Sequence, residues 1–355
     1  MLSLTIKIDY YSLFRMSKRV CFHIFIILFL LFCTAFFTSC RKEETIEVRS
    51  KTIYSCFDTV TFIYSYANDS EETFFANAKI VEDILRDYHK MLDIYNQYEG
   101  MNNLCTVNLN AGKEPVKVDR RLIDVLLFSK KLCEITEGKM DIMMGSVLSL
   151  WHEGRISEPQ YLPSDEALKE ASQHIGFDLL EIDEKNLTVR ITDSEASIDV
   201  GAIGKGYATE VAAQALQERG VSGYVINSGG NIRCIGNKAD GSKWVAGIKN
   251  PSDPETLAVK LEISDCACVT SGGYERYIQV DGKKYSHLID KSTLRPASYF
   301  GSVTVITHDS ALADGLATGL FCMNYEDGLA LVRSLDDVKC IWIEKDGTVR
   351  NSDEI

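Results

Sequence analysis

Proline is scarce, with 6 residues in 355, and no Pro/Gly/Ser-rich linker or internal repeat interrupts the chain after residue 50. The roughly 315 residues that follow the N-terminal segment therefore read as one compact unit. Basic residues are in the minority: 38 Lys and Arg against 51 Asp and Glu give a formal net charge of −13. That balance argues against a nucleic-acid partner, because phosphates need a basic footprint. None of the 11 cysteines forms a C-x-x-C spacing, which disfavours a zinc site or a thioredoxin-like redox motif. No G-x-G-x-x-G, G-x-x-x-x-G-K-[ST] or G-x-S-x-G occurs, so the chain lacks the marks of a Rossmann domain, a P-loop and a hydrolase elbow.

Only one apolar run approaches membrane-spanning length. Met16-Ser17-Lys18-Arg19 precedes the run Val20 to Phe37, which ends at Phe37-Thr38-Ser39-Cys40. Positive, then apolar, then small residues before a cysteine is the layout of a bacterial lipoprotein signal, with Cys40 the lipidated first residue of the mature chain. An uncleaved anchor is the alternative. Either places the body outside the cytoplasm, periplasmic or extracytoplasmic, lipid-anchored to a bacterial membrane. Met1 to Arg15 stands upstream of a complete signal, so Met16 is an alternative start. The expected division is a signal over 1–39, a charged tether over 40–50 and one domain over 51–355. Removing residues 1–39 leaves a formal charge of about −16 and, beside Cys40, eight cysteines, read as mostly buried free thiols.

Periodicity predicts the elements. Thr52 to Tyr66 alternates as a strand; Glu71–Tyr95, Arg120–Thr136, Tyr207–Arg219 and Ser310–Met323 carry helical spacing. Strands are expected at 187–191, 197–200, 224–226, 232–235, 244–248, 257–263, 267–270, 275–280, 302–306 and 340–344. Strands that cluster apart from helices predict an α+β fold with largely antiparallel pairing.

Three segments offer chemistry together. Asp199-Val200-Gly201-Ala202-Ile203-Gly204-Lys205-Gly206 joins a strand to a helix, where free backbone N–H groups and Lys205 suit a phosphate, or is simply a tight strand-to-helix connection with a surface lysine. Asn227-Ser228-Gly229-Gly230-Asn231 is a second glycine turn, equally readable as a plain hairpin. Asp314 and Thr318 stand i, i+4 on an apolar helix, two hard oxygens for a divalent cation or merely a helix-start acid and a packed threonine. His287, after Thr270–Tyr277, reads as a proton carrier or an ordinary loop histidine. Met140-Asp141 with Leu150-Trp151 suits core packing or an aromatic-ring pocket.

In this order along one chain, these segments, with Phe57-Asp58-Thr59, Tyr95, Thr270-Ser271-Gly272 with Tyr274, His287-Leu288-Ile289-Asp290 and Ser302–Val305, resemble the ApbE family of FAD:protein FMN transferases. The resemblance runs from about Phe57 to near the C-terminus and implies a single ApbE-like, T-fold-like body of mixed, largely antiparallel sheets and flanking helices. It implies that Phe57, Tyr95, Lys139, Met140, Asp141, Asp199, Lys205 and His287 with Leu288 surround FAD as substrate. It also implies that the Ala202 carbonyl, Asp314 and Thr318 hold Mg²⁺, and that His287 and Asp314 serve the chemistry. The implied reaction moves FMN onto a threonine hydroxyl of an acceptor protein as a phosphoester and releases AMP. The implied acceptors are flavin-bearing subunits of membrane redox complexes. Phe57 stands where the family often has methionine, Met140 where phenylalanine is usual and Gly204 where alanine is usual. Lys291-Ser292-Thr293-Leu294-Arg295 replaces a Pro- and Gly-containing turn. An FAD pyrophosphatase giving FMN and AMP, and a non-catalytic flavin-binding lipoprotein, are the alternative readings.

Overall fold

A computed structural model describes residues 47–353; the expected signal, Cys40 and residues 41–46 of the tether lie outside the described residues. Alternating residues build an eight-stranded sheet in the spatial order Arg49–Cys56, Thr59–Ser65, Tyr224–Ser228, Asn231–Ile235, Ala267–Gly272, Ser302–Thr307, Lys339–Ile343 and Val349–Asn351. Every neighbouring pair in it is antiparallel, and so are the smaller ladders. The mixed pairing expected from sequence is thus antiparallel throughout among the described residues.

One sheet face carries the main core, covered by the helices Glu71–Leu92, Gly204–Gln217 and Ser310–Phe321. Glu71–Leu92 begins where the Ser70 hydroxyl accepts from Thr73 N–H, with Glu71 and Glu72 in its first turn, a side-chain cap reinforced by the helix dipole. It buries Phe74, Ala78, Val81, Leu85 and Leu92, an i, i+3/i+4 stripe. Truncating one of these, such as Leu85→Ala, removes about 2–5 kcal/mol. Ser310–Phe321 is nearly wholly buried; its alanines and glycines let neighbouring backbones approach. The other sheet face is covered by the hairpin Trp244–Asn250 with Asp253–Ile263, packed on Cys234, Cys268 and Ile343. All eight described cysteines are free thiols, and only Cys133 is not fully buried.

The double coverage explains a difference from the sequence reading. Thr52 to Tyr66 is not one strand but the hairpin Arg49–Cys56 and Thr59–Ser65, turning at Phe57-Asp58. Both turn residues have positive φ, 53° and 50°, the conformation a two-residue hairpin turn requires. Arg49 and Ser50, assigned to the tether, already pair with Ser65 and Tyr64. Ser197–Val200 is extended but joins no ladder. Its backbone is satisfied by the Asn108 amide, which donates to Ile198 O at 2.9 Å and accepts from Ile198 N at 2.8 Å, and by Ile142 O, which accepts from Asp199 N. A side chain here stands where a neighbouring strand would. The helix expected from Tyr207 starts at Gly204, so Lys205 and Gly206 belong to its first turn.

Candidate active site

The Gly204–Gln217 and Ser310–Phe321 helices cross at Gly206, where a Cβ would lie 2.4 Å from Asp314 Cβ and 2.6 Å from Ser310 O. Only glycine permits that approach. Asp314, 6% exposed, accepts from Gly206 N at 2.7 Å and from Lys205 Nζ at 2.9 Å. A buried carboxylate needs such partners. Behind it, Glu210 accepts from Ser310 N at 2.8 Å and from Arg233 Nε at 3.0 Å, tying both helices to the strand Asn231–Ile235. Asp314 therefore sits in a fixed frame.

Thr318 Oγ1, one turn further, lies 3.4 Å from Ser271 Oγ. Ala202 is half-buried in the turn before the first helix. No group of three His, Cys, Asp or Glu side chains converges as a metal-holding cluster among the described residues; the set expected from sequence contains a single carboxylate.

The glycine turns do not present the free N–H groups expected of them. Gly201 N donates to Asp199 Oδ1, Gly204 N to Val200 O and Gly206 N to Asp314. Gly229 and Gly230, with φ of 56° and 88°, make the tight hairpin turn between Tyr224–Ser228 and Asn231–Ile235. A Cβ on Gly229 would meet Thr59 Oγ1 at 2.0 Å. The hairpin alternative describes that turn.

The residues expected around a flavin fall in two groups. Lys139 pairs with Asp290 at 3.1 Å and with Ser292 Oγ at 2.8 Å, and Asp141 pairs with Lys291 at 2.5 Å. These ion pairs tie the 139–141 segment to the Ile289–Asp290 and Arg295–Pro296 hairpin, so Lys291 and Ser292 have work that the departure from the family turn had concealed. Met140 is 1% exposed and belongs to the core, which leaves little of its surface for a ring. Leu288 is also buried.

The second group is half-buried or exposed. Phe57 packs edge-on against His89 at 5.6 Å, and Tyr95, exposed and lining a cavity of ≈ 550 Å³, lies 5.5 Å from the His152 ring. Burial raises the Tyr95 phenol, helped by the charges of Asp199 and Asp58. Burial also raises the Asp199 carboxyl. His287 receives two constraints from one carbonyl: its backbone N and its Nδ1 each lie 3.1 Å from Arg276 O. A carbonyl only accepts, so Nδ1 carries the proton and Nε2 holds the lone pair. Burial lowers the His287 pKa to about 4, with Arg276 and Arg155 pushing the same way; the ring is neutral at pH 7.

The sequence reading missed His152 and Arg155 here, and gave Arg276 no role. Arg155 donates to His152 Nδ1 at 2.9 Å, and Arg276 donates to Asp58 O at 3.0 Å. The available signal was Arg155 itself, a charge at the end of the apolar helix Gly145–Ile156.

Residues 57–342 match the ApbE family, and the chain belongs to it. A curated relative from Vibrio cholerae named FAD:protein FMN transferase is 34% identical over 73% of this chain and 78% of its own length. One of the same name from Treponema pallidum is 32% identical over 70% of this chain and 72% of its own. Among solved structures, an ApbE protein from Thermotoga maritima covers 86% of this chain and 97% of its own at TM-score 0.77 and 27% identity. The flavin transferase ApbE from Vibrio cholerae covers the same shares at TM-score 0.72 and 28% identity.

Proposed function

We propose that this protein is an FAD:protein FMN transferase that moves FMN from FAD to a threonine hydroxyl of an acceptor protein and releases AMP, with Mg²⁺ held by the Ala202 carbonyl, Asp314 and Thr318. The observation that carries this reading is Asp314: a buried carboxylate whose one oxygen faces an ammonium 2.9 Å away, at a helix crossing built for it. The pocket thus already accommodates positive charge at that oxygen, and its donors are the hard oxygens that Mg²⁺ prefers. A divalent cation there supplies charge to the diphosphate in the transition state. The relatives' shared name supplies the donor and the transferred group.

The chain's own residues divide the remaining work. Phe57, Tyr95, Asp199, Lys139 and Asp141 bound the flavin nucleotide, the buried Met140 and Leu288 support them from the core, and Lys205 faces its phosphates. His287, neutral and with Nε2 free, accepts the proton of the attacking hydroxyl as its oxygen bonds to phosphorus and the bond to the AMP oxygen breaks. Anchoring through lipidated Cys40, and acceptors in membrane redox complexes, complete the proposal. Incubation with FAD, Mg²⁺ and an acceptor subunit, read by in-gel flavin fluorescence and AMP release, tests it. A fluorescent acceptor band with equimolar AMP is expected. AMP and free FMN without a band would make the protein a pyrophosphatase, and neither product a binding protein.

A further inference from the structure

Arg155, beside His152 and through it Tyr95, and Arg276, beside His287, have no carboxylate partner among the described residues. Arg155 is half-buried and bonded only to the His152 ring through its side chain; Arg276 donates only to the carbonyl of Asp58. Among the described residues neither makes an ion pair, although acids outnumber bases by 51 to 38. Most other arginines here illustrate the contrast: Arg86, Arg120, Arg121, Arg190, Arg233, Arg295 and Arg350 each reach a carboxylate. The end of the Gly145–Ile156 helix packs on the strand Tyr277–Val280, a Cβ on Gly154 lying 3.6 Å from Ile278 Cδ1, so Arg155 and Arg276 flank one contact; burial, and after it Arg276, lowers the Arg155 pKa. Holding like charges side by side costs free energy unless an anion joins them.

Lys205, by contrast, is already matched by Asp314. The carbonyl of Arg276 fixes His287, so its guanidinium is anchored to the backbone that orients the proposed base. Planar forks of this kind bind phosphate oxygens two at a time.

We infer that Arg155 and Arg276 form a clamp for a phosphate of the flavin nucleotide on the His287 side of the site, opposite in role to the self-neutralised Lys205–Asp314 pair. This deepens, and rests on, the transferase reading. The clamp confers selection of phosphorylated flavin over riboflavin, and Asp58 and Phe57 place Arg276 for it.

Fluorescence titration of the full protein with FAD, FMN and riboflavin tests the clamp in Arg155→Gln, Arg276→Gln and Arg276→Lys. Dissociation constants for FAD and FMN should rise about tenfold or more in each Gln variant, in keeping with loss of a charged hydrogen bond worth about 1.5–3 kcal/mol. Riboflavin should change less than twofold, and Arg276→Lys should recover part of the FAD loss. Unchanged FAD affinity, or equal losses for riboflavin, would overturn it. Should a variant fail to fold, the wild-type protein answers: inorganic pyrophosphate should protect Arg155 and Arg276 from phenylglyoxal, read by mass spectrometry, and equal labelling with and without it rejects the clamp. The two proposals fail separately. Wild-type protein that binds FAD but never flavinylates an acceptor defeats the transferase, whereas normal FAD binding by active Gln variants defeats only the clamp.

Discussion

At the scale of single residues, His287 and Asp314 make opposite demands on their surroundings. Burial favours the neutral imidazole of His287 and lowers its pKa to about 4. The unfolded chain takes up that proton near the ordinary 6.5, so between about 6.5 and 4 the unfolded state binds more protons. Stability contributed by His287 is therefore full above that window and is lost as pH falls through it. Chemical denaturation between pH 7 and 4 should show a steeper loss for the wild type than for His287→Gln. The same value predicts a transfer rate that holds down to mildly acidic pH and falls with an apparent pKa well below 6.5; an acid limb centred at 6.5 would mean that the titrating base lies elsewhere. His287→Ala should lower turnover by about 10²–10⁴-fold and FAD affinity little, as measured by single-turnover flavinylation beside FAD titration. Asp314 instead is held by the hydrogen bonds it accepts from Lys205 and Gly206. Asp314→Asn retains its shape and an acceptor for Gly206 N–H, so the melting temperature should move by only a few degrees while flavinylation falls by about 10²-fold or more. Wild-type turnover in that variant would remove the cation from Asp314.

Elements decide whether those residues meet at all. Gly206→Ala places a methyl where Asp314 Cβ and Ser310 O already stand, so the two helices must separate, at about 1–3 kcal/mol, and the bond from Gly206 N to Asp314 must lengthen. Activity should fall more than stability, a split that calorimetry and flavinylation together would detect; equal activity would show that the crossing tolerates opening. The crossing was not legible in the sequence, because Lys205 and Asp314 are far apart in the chain and their contact depends on how two helices pack. What was legible were the consecutive motifs, whose glycines and polar residues keep their spacing whatever they pack against. The Phe57-Asp58 turn was missed for a related reason: Asp58 suits a turn, but Phe57 is not a turn former, and both hold positive φ. Strain of that sort clusters at functional sites. Replacing the pair with Asn-Gly should raise the melting temperature, since that dipeptide suits the turn, while loosening flavin binding by removing the ring beside His89. A variant gaining stability with unchanged FAD affinity would free Phe57 of its assigned role. The 197–200 segment misled differently: its apolar pattern is strand-like, but Asn108 supplies the ladder, and no local signal separates a side-chain partner from a strand.

At the scale of the whole molecule, the proposed membrane address of the catalytic body is written only in the sequence. No helix among the described residues is long and apolar enough to cross a membrane, and the described residues 47–353 belong to one unit. The formal charge of about −16 left once residues 1–39 are removed gives that body no net electrostatic attraction to anionic lipid headgroups, so a membrane-bound population requires a separate anchor. The basic, apolar, small-residue and cysteine order ending at Cys40 is the anchor we propose, since a diacyl-type anchor holds a protein stably where a single chain does not. Cys40→Ser should shift the protein from the membrane fraction to the soluble fraction or leave it unprocessed, with the lipid mass lost by mass spectrometry. Because the body begins beyond Cys40, purified Cys40→Ser should flavinylate a detergent-solubilised acceptor at the wild-type rate, yet do so more slowly in vesicles, where the anchor confines enzyme and acceptor to one surface. Unchanged mass and fractionation would remove the lipid anchor, and a loss of activity in detergent equal to that in vesicles would show that Cys40 acts through the fold and not through the membrane.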